Sequence, residues 1–566
     1  MQKRWICSPS PKNAIIEELS QAIRVNHTLS SILVQRGIST FDQAKHFFRP
    51  SLDQLHDPFM MKNMKEAVDR LQKAIDKKEK IIVYGDYDVD GTSSVALVYS
   101  FLKSIYSSID FYIPDRQVEG YGVSLQGIEW ASQQGCSLLI TVDCGIKDFS
   151  AIQYASSLGI ESIICDHHIP TGDLPPAIAI LNPKQPTCPY PYKELSGCGV
   201  AFKLLSAFCQ ENKLEPNSLY KLLDLVAVSI ASDIVPITGE NRLLMYHGLN
   251  ALNTAPSLGL SALMAIAGLH SPIDVSDIVF GIAPRINAAG RLGHASQAVQ
   301  LLLAQTEPEA SVLAKKLHEQ NAVRRTYDLQ MTQEALALIE NDKEKKEAKS
   351  TVLFKQDWHK GVIGIVASRC VEKYYRPTII LTASNEKAVG SARSVDGFDI
   401  HEAITACSDL LEKYGGHQYA AGLTLPIDRV DDFTKRFEEV VSNTITGEQL
   451  IPLIEIDSLI QLKIINSKFY TILQQMAPFG PGNKRPVFVA EDVFCVSPPI
   501  VLKQEHLKLR VKQDDSYTFD AIGFGLGHYI TVLQSGNPFD LCFTIQENTF
   551  NGNTSLQLSI KDIRTK

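Results

Sequence analysis

The chain has 566 residues, of which 45% are hydrophobic and 21% charged, and its formal net charge is −8. This length exceeds what one hydrophobic core supports, so several domains are expected. The absence of a signal-like apolar run at the N-terminus, and of any run of about 18 apolar residues, argues against secretion and a membrane span. Eleven cysteines without a CxxC pair favour the reducing cytoplasm over a disulfide framework. The negative charge means that nucleic-acid binding would need local basic surfaces.

Residues 1–55 are predicted to form an N-terminal helical segment, with helices at 12–25, 28–37 and 40–48. From residue 81, short apolar runs alternate with helical patterns, and we assign this region to a domain spanning 56–305. Buried strands are predicted at 81–84, 109–113, 138–142 and 162–165, and the helices between them at 92–107, 125–134 and 149–158. Such alternation predicts a parallel sheet covered by helices on both faces.

A long helix is predicted at 308–339, because Thr306 and Glu309 have the spacing of a capping box. The mixed charges of residues 341–349 mark a boundary, so the connecting helix is assigned to 306–345. A second α/β domain is then predicted at 346–447. Its strands are expected at 351–354, 378–381 and 389–392.

Residues 448–566 are predicted to form a small β-barrel of the OB-fold type. Residues 506–512 alternate strictly between apolar residues on one face and His506, Lys508, Arg510 and Lys512 on the other. The pair Asn551-Gly552 between two alternating runs predicts a hairpin. The basic face suits single-stranded DNA, although an ordinary solvated strand surface explains this segment equally well.

Three of the predicted parallel strands end in acids or histidines. These residues are Asp86, Asp88 and Asp90 after the first, Asp143 after another, and Asp166, His167 and His168 after the last. Because the carboxyl ends of parallel strands share one edge of a sheet, these side chains are expected to lie close together. Carboxylates gather in this way only if cations compensate their charge. Aspartate and histidine without cysteine suit Mn²⁺ or Mg²⁺ better than structural zinc.

Other interpretations of the same residues are simpler. A calcium loop that began at Asp86 would need an acid at its twelfth position, where this chain has Leu97. A histidine pair by itself is usually incidental, and Gly85 and Gly91 are also compatible with plain turns. Asp233, which follows an apolar helical segment at 222–230, is by itself most simply a helix cap.

Taken together, the motifs resemble the DHH phosphoesterase superfamily. Asp-His-His at 166–168 follows Gly-Asp-Tyr-Asp-Val-Asp-Gly at 85–91 and Val-Asp-Cys-Gly at 142–145. Gly-Gly-His-Gln-Tyr-Ala-Ala-Gly at 415–422 resembles the glycine-rich motif of the DHHA1 domain that accompanies it. Further motifs at 197–203, 284–291 and 477–483 narrow the resemblance to the bacterial single-strand DNA exonucleases of this superfamily. The implied fold is α/β, with a parallel-sheet DHH domain and a DHHA1 domain joined by the long helix, followed by the barrel.

The resemblance implies two metal sites that share Asp143. Asp88 and Asp143, completed by Asp86, are implied to hold one ion, and the other ion is assigned to Asp90, Asp143, His167 and Asp233. His168 is implied to face the substrate, so the catalytic roles fall to Asp143, His168, Asp88 and Asp90. Some relatives have a histidine where this chain has Tyr84, which brings the coordination of the first ion into question.

The resemblance also implies residues that contact DNA. Arg116, Ser391 and Arg393 are implied to bind a terminal 5′ phosphate, which implies degradation from 5′ to 3′. The other substrate-binding candidates are Arg285, Asn287, Arg291, Gly415, Gly416 and His417. Without the resemblance, exposed salt bridges and a turn would explain these arginines and glycines. The expected partners are single-stranded DNA with a 5′ end and, from the family, single-strand-binding protein and a helicase.

The predicted function is therefore two-metal hydrolysis of single-stranded DNA, in repair and recombination. One alternative is a phosphodiesterase for short oligoribonucleotides or cyclic dinucleotides. Such relatives usually resemble only the first two domains, and the β-rich tail argues against them. Another is a non-catalytic DNA-binding scaffold for replication, against which the complete set of acids and histidines argues. A metabolic phosphatase has the right chemistry but no need for a chain of this length.

Overall fold

A computed structural model describes residues 3–550 and 552–565 of the chain. The described residues divide into two compact units. The first, here called the sheet unit, comprises residues 40–322 and 475–485. The second, the barrel unit, comprises the described residues of 1–39, 323–474 and 486–566. The predicted long helix is present as Glu307–Glu340, and its residues are shared between the two units.

Five parallel strands form the sheet of the first unit. In spatial order they are Ile109–Tyr112, Lys80–Gly85, Cys136–Val142, Glu161–Cys165 and Ala179–Leu181. The first four confirm the predicted strands, whereas the short edge strand Ala179–Leu181 was not predicted. The next strand along the chain, Ile109–Tyr112, pairs with one side of Lys80–Gly85, and the one after it, Cys136–Val142, pairs with the other side. The carboxyl end of that strand is therefore a topological switch point, where ligands bind in open α/β sheets.

Alternation along the strands separates two apolar layers. Ile81 and Val83 face one layer, and Ile82 and Tyr84 face the other. Burial on both faces explains why the strands are continuous apolar runs. The helices of this unit are Phe41–Phe48, Met64–Asp76, Val89–Lys103, Leu125–Gln133, Phe149–Ser157, Gly197–Glu211, Asn217–Tyr220, Leu223–Ser232, Gly239–Thr254, Leu258–Ala267, Val275–Asp277, Ala283–Leu292 and Ser296–Leu302.

The barrel unit contains a mixed five-stranded sheet that confirms the second α/β region. Its strands, in spatial order, are Lys413–His417, Ala420–Pro426, Lys387–Arg393, Thr378–Ser384 and Thr351–Phe354. The helices Ile363–Tyr374, Ile400–Thr405 and Val430–Thr444 accompany it. The glycine-rich motif therefore lies on an antiparallel hairpin.

A closed barrel of five strands confirms the OB-type prediction. Phe488–Cys495, Phe539–Phe550, Asn553–Thr565, Phe519–Gly523 and His506–Lys512 follow one another, and the last pairs back with the first. The short strands Ser458–Leu459 and Ile500–Leu502 flank it. Of the predicted hairpin pair, Asn551 lies outside the described residues, and Gly552 has a φ of +79° between the two paired strands.

The N-terminal segment begins with a strand that was not predicted. Arg4–Cys7 pairs in parallel with Leu453–Ile456. The predicted helices follow as Asn13–Ile23 and His27–Gln35 in the same unit, and Phe41–Phe48 in the sheet unit. No helix among the described residues is long and apolar enough to cross a membrane.

Candidate metal centre

Strand-end loops and one helix end bring the predicted metal ligands together in the sheet unit. Three groups have potential ligand atoms that all lie within 4.8 Å of one another. They are Asp86, Asp88 and Asp143; Asp90, His167 and Asp233; and Asp143, His167 and His168. The first group has the three residues that the resemblance assigned to one ion, and the second has three of the four assigned to the other. Asp143, the fourth, belongs to the first and third groups.

His167 lies among three carboxylates. Its Nε2 atom is 3.2 Å from Asp143 Oδ1, 3.5 Å from Asp233 Oδ2 and 3.8 Å from Asp90 Oδ2. The 3.2 Å contact does not have hydrogen-bond geometry: among the described residues, neither ring nitrogen of His167 nor Asp143 Oδ1 has a hydrogen-bond partner, although all three atoms are buried. A buried polar atom without a partner is costly. These atoms therefore fit a cation, because no donor among the described residues takes its place.

The electrostatics of the cluster agree with this fit. Burial, and then repulsion from neighbouring aspartates, raises the pKa of Asp86, Asp88, Asp143 and Asp233. Burial also lowers the pKa of His167 to about 4. The imidazole is therefore neutral, which is the form that binds metals. A divalent cation would offset the repulsion that makes ionisation of these carboxyl groups unfavourable.

Asp90 is fixed by the start of the helix Gly197–Glu211. Its Oδ2 accepts from the Gly197 backbone N–H at 2.7 Å, and its Oδ1 accepts from the Cys198 N–H at 2.8 Å. Ser229 Oγ donates to the same Oδ1 at 2.7 Å. Unpaired N–H groups at a helix N-terminus favour an anion. The motif at 197–203 was recognised in the sequence, but the roles of Gly197 and Ser229 were missed.

Gly197 must be small because it lies directly against Asp143. A Cβ at this position would be 2.6 Å from Asp143 Cβ and 2.7 Å from its Oδ1. Such distances are far below ordinary van der Waals contact. The glycine therefore lets the helix approach close enough for its N–H groups to reach Asp90 while Asp143 stays beside it.

Asp166 orients the second histidine of the triplet. Its Oδ1 lies 2.8 Å from His168 Nδ1 and accepts from the His168 backbone N–H at 3.0 Å. Burial opposes charge on both groups, but their hydrogen bond prevails, so the pKa of His168 is raised and that of Asp166 is lowered. The Tyr121 hydroxyl lies 3.1 Å from His168 Nδ1. The sequence placed Asp166 at this edge of the sheet but assigned it no role, and Tyr121 was missed as a member of the site.

Tyr84 points away from the cluster. It is buried in the apolar layer on the other face of the sheet. Its hydroxyl donates to the Gly122 carbonyl at 3.2 Å and accepts from the Ser124 N–H at 3.0 Å. The tyrosine at this position is therefore a core residue, and it leaves coordination near Asp86 to the aspartates.

The basic candidates of the sheet unit differ in their surroundings. The Arg116 guanidinium lies 4.8 Å from the centre of the Tyr87 ring, and its charge lowers the pKa of Asp86 against the effect of burial. Burial raises the pKa of Tyr87, which lies in the same loop as Asp86, and the charge of Arg291 acts against this rise. Arg285 instead donates to the Gly281 carbonyl and to His318 Nδ1. Asn287 is half-buried on the helix that carries Arg285 and Arg291.

The remaining substrate candidates belong to the barrel unit. Arg393 Nη1 donates to Ser391 Oγ at 3.0 Å, so these two side chains form a pair. Gly415, Gly416 and His417 are exposed on the strand Lys413–His417. Gly416 has a φ of +151°, and a Cβ there would lie 2.3 Å from the Ala420 carbonyl oxygen. This residue therefore has to be glycine for the hairpin to form.

Three family models match the chain. They are described as the DHH family N-terminal domain, matching residues 80–230, the DHHA1 domain, matching 347–443, and the RecJ OB domain, matching 456–562. Among curated proteins, the single-stranded-DNA-specific exonuclease RecJ of Bacillus subtilis is 37% identical over 98% of this chain and 70% of its own length. That of Escherichia coli is 33% identical over 89% of this chain and 90% of its own length.

Solved structures give the same result. The crystal structure of RecJ from Thermus thermophilus with Mn²⁺ matches with a TM-score of 0.86 at 28% identity, covering 100% of this chain and 80% of that one. A second RecJ structure, bound to manganese, is 34% identical with a TM-score of 0.61, over 70% of this chain and 97% of that one. Fold and site together define a protein of the DHH class with an accompanying DHHA1 domain. Within that class, the chain belongs to the RecJ family of single-stranded-DNA-specific exonucleases.

Proposed function

We propose that this chain hydrolyses the phosphodiester bonds of single-stranded DNA from the 5′ end, with Mn²⁺ or Mg²⁺ as its cofactor. The observation that carries the proposal is the buried cluster in which Asp143 Oδ1 and both ring nitrogens of His167 have no hydrogen-bond partner among the described residues. Solved RecJ structures with Mn²⁺ and with Mg²⁺ support the choice of ion. We further propose that the protein works in the cytoplasm, in DNA repair and recombination.

Two metal sites that share Asp143 are proposed. Asp86, Asp88 and Asp143 hold one ion; Asp90, Asp143, His167 and Asp233 hold the other. When bound, a pair of divalent ions lowers the pKa of water and offsets charge that develops on the phosphate. The helix start at Gly197 fixes the orientation of Asp90, which keeps its side of the cluster preorganised.

His168 is the group that we assign to the substrate. Its side chain is 28% exposed, whereas that of His167 is 7% exposed. Asp166 fixes the imidazole orientation through Nδ1 and favours the protonated form. A histidine held in this way is suited to donate a hydrogen bond or a proton to a phosphate oxygen. Tyr121 supplies a second hydroxyl beside it.

The 5′-to-3′ direction of degradation is assigned to Arg116, Arg393 and Ser391. We propose that Arg116, Ser391 and Arg393 recognise the terminal 5′ phosphate, because a guanidinium and a hydroxyl match the acceptors of a phosphate. The existing hydrogen bond between Arg393 and Ser391 supports this role, since it fixes both donors before any ligand arrives. The DNA beyond the terminal nucleotide is proposed to contact the other candidates, which are Arg285, Asn287, Arg291, Gly415, Gly416 and His417.

Replacing Arg393 with alanine is expected to reduce the preference for a 5′-phosphorylated strand over a 5′-hydroxyl strand by about tenfold or more, because a charged hydrogen bond to the phosphate is lost. The measurement is kcat/KM on the two strands, which differ only at that end. Arg436→Ala removes an exposed arginine from the same α/β region and serves as the control. An unchanged preference in Arg393→Ala would exclude this residue from recognition of the 5′ phosphate.

The barrel is proposed to bind the single-stranded DNA further from its 5′ end. Leu507, Leu509 and Val511 are buried in the barrel, whereas Lys508 and Arg510 are exposed on the opposite face of the strand. Arg510 lies 3.6 Å from Asp520 on the neighbouring strand, which orients its side chain. A basic strand face of this kind is suited to track a nucleic-acid backbone. Single-strand-binding protein and a helicase are proposed as partners.

Neutralising this face is expected to weaken the salt dependence of DNA binding. Each lost phosphate contact lowers the slope of log affinity against log salt by about 0.7 on single strands, so Lys508→Gln with Arg510→Gln should reduce it by roughly 1.4. A titration of a long labelled oligonucleotide over several salt concentrations measures the slope. The exposed pair Lys343→Gln with Lys435→Gln is the control of equal charge. Equal slopes for the two double variants would contradict the assignment.

One assay tests the function as a whole. It compares single strands labelled at the 5′ and 3′ ends, a duplex and a cyclic dinucleotide, each with Mn²⁺ and without it. The expected result is metal-dependent release of 5′ nucleotides from the single strand alone. Cleavage of the cyclic dinucleotide alone would favour a small-substrate phosphodiesterase, and DNA binding without cleavage would favour a scaffold.

A further inference from the structure

The motif at residues 477–483, Ala-Pro-Phe-Gly-Pro-Gly-Asn, has no part in the chemistry described so far. Along the chain it lies between the helix Ser467–Gln475 and the strand Phe488–Cys495. Residues 475–485 nevertheless belong to the sheet unit. There the motif contacts residues 236–242, which begin three positions after the proposed ligand Asp233.

The motif is internally rigid. The amide of Asn483 is buried and donates to the carbonyl of Met476 at 3.0 Å and to that of Pro478 at 2.7 Å. The backbone groups of Gly480 and Asn483 also pair with each other, at 3.0 Å in both directions. We call residues 476–483, held in this way, the support loop.

The support loop binds the chain that follows Asp233. The Pro481 carbonyl accepts from the Ile237 backbone N–H at 2.7 Å. Gly482 has a φ of +72°, and a Cβ there would lie 2.8 Å from Thr238 Cγ2. Arg242 donates to the Ala477 carbonyl at 2.8 Å and fixes the other end of the loop. The fit therefore depends on close approach of the two backbones.

The segment 233–237 needs such support. Asp233 ends the helix Leu223–Ser232, and the next residue, Ile234, has a φ of +59° and is 67% exposed. A β-branched residue is unfavourable in this left-handed region. Such backbone strain persists only where the surroundings hold it. The exposed Ile234 does not hold this backbone itself, so the contacts that hold it come from its neighbours: Val235 and Ile237 are buried, and Pro236 and Ile237 are hydrogen-bonded.

Two sets of contacts provide this support. The Pro236 carbonyl accepts from Tyr192, 44 positions earlier in the chain, and from Asn241, five positions later. The Ile237 N–H is bound by the support loop. We propose that the support loop is a positioning element for Asp233. It keeps the Asp233 carboxylate beside His167 and so sets the affinity of the ion assigned to Asp90, Asp143, His167 and Asp233. The proposal rests on the metal-dependent function proposed above and deepens it.

The test is a Mn²⁺ titration of the full-length protein by electron paramagnetic resonance, with Gly482→Ala as the variant. Its added Cβ pushes against Thr238, and one Mn²⁺ is expected to bind about tenfold or more weakly, as when groups that orient metal ligands are removed. The other ion is expected to keep its affinity. Excess Mn²⁺ should restore DNA cleavage, because mass action refills a weakened site.

Gly268→Ala is the matched control. Gly268 has a φ of +69° in the same unit, and no atom lies within 4 Å of an added Cβ, so only the backbone strain is reproduced. Asn483→Ala is a second test variant that loosens the loop without adding an atom, and it decides the question if Gly482→Ala does not fold. Unchanged Mn²⁺ affinities in the folded variants, with a melting temperature lowered as in Gly268→Ala, would overturn the proposal. Failure of the unmodified protein to bind Mn²⁺ would instead overturn the proposed function.

Discussion

Asp143→Ala is expected to lower kcat on single-stranded DNA by roughly 10⁴-fold or more, the scale seen when a central catalytic group is removed. The reason is that Asp143 is the ligand that both proposed ions share: it groups with Asp86 and Asp88 and also with His167, so neither ion keeps its full coordination. The fold should survive, because the alanine relieves repulsion among buried carboxylates. Single-turnover cleavage at saturating Mn²⁺, together with a thermal melt, measures both effects.

The control for this variant is Asp224→Asn. Asp224 is equally buried and lies on the helix that Asp233 ends, where it accepts hydrogen bonds from the Ser257 and Leu225 backbones. Its replacement is expected to lower the melting temperature while leaving Mn²⁺ stoichiometry unchanged. Asp143→Ala should instead change the Mn²⁺ stoichiometry without lowering the melting temperature. Substantial cleavage by Asp143→Ala would exclude this aspartate as the shared ligand.

Gly197→Ala is expected to reduce cleavage by about 100-fold through a single added methyl group, the cost of a misplacement of about 1 Å at a reacting centre. The new Cβ would lie 2.6 Å from Asp143 Cβ, so either that carboxylate or the helix start that holds Asp90 must move. Both Mn²⁺ affinity and kcat should fall. Calorimetric titration with Mn²⁺ separates loss of the ion from loss of turnover.

Gly199→Ala provides a close comparison on the same helical turn. Its added Cβ would come no nearer than 3.3 Å to Leu195 Cδ2, a tight contact with the end of a side chain rather than with a ligand. Both variants exchange glycine for alanine within one helix, so intrinsic helix propensity is matched. If the two variants lose activity equally, the contact between Gly197 and Asp143 is not the cause.

The convergence of the strand-end acids could be predicted from the sequence for a simple physical reason. Apolar runs fix parallel strands, and parallel strands put their carboxyl ends at one edge, so Asp86, Asp143 and His167 had to be neighbours. Asp233 was less accessible to such reasoning. It ends a helix, as a cap would, and only packing of that helix against the helices Val89–Lys103 and Gly197–Glu211 brings its carboxylate within 3.5 Å of His167 Nε2.

The missed features depend on contacts between distant segments. The distance from Gly197 to Asp143, and the support loop beneath Ile237, are set by tertiary packing that no local pattern encodes. The edge strand Ala179–Leu181 is three residues long and follows two prolines, so it carries no period to detect. The strand at 413–417 was hidden by its glycines, which are unfavourable in strands unless a close approach requires them.

The pairing of Arg4–Cys7 with Leu453–Ile456 has a consequence for synthesis of the protein. The strand Arg4–Cys7 has no partner until Leu453–Ile456 has been translated, and the sheet unit lacks residues 475–485 for still longer. Domains usually fold as units during translation, starting from the N-terminus. Here neither unit can be complete at that stage, so nascent chains that stop before residue 450 should expose an unpaired strand edge and depend on chaperones.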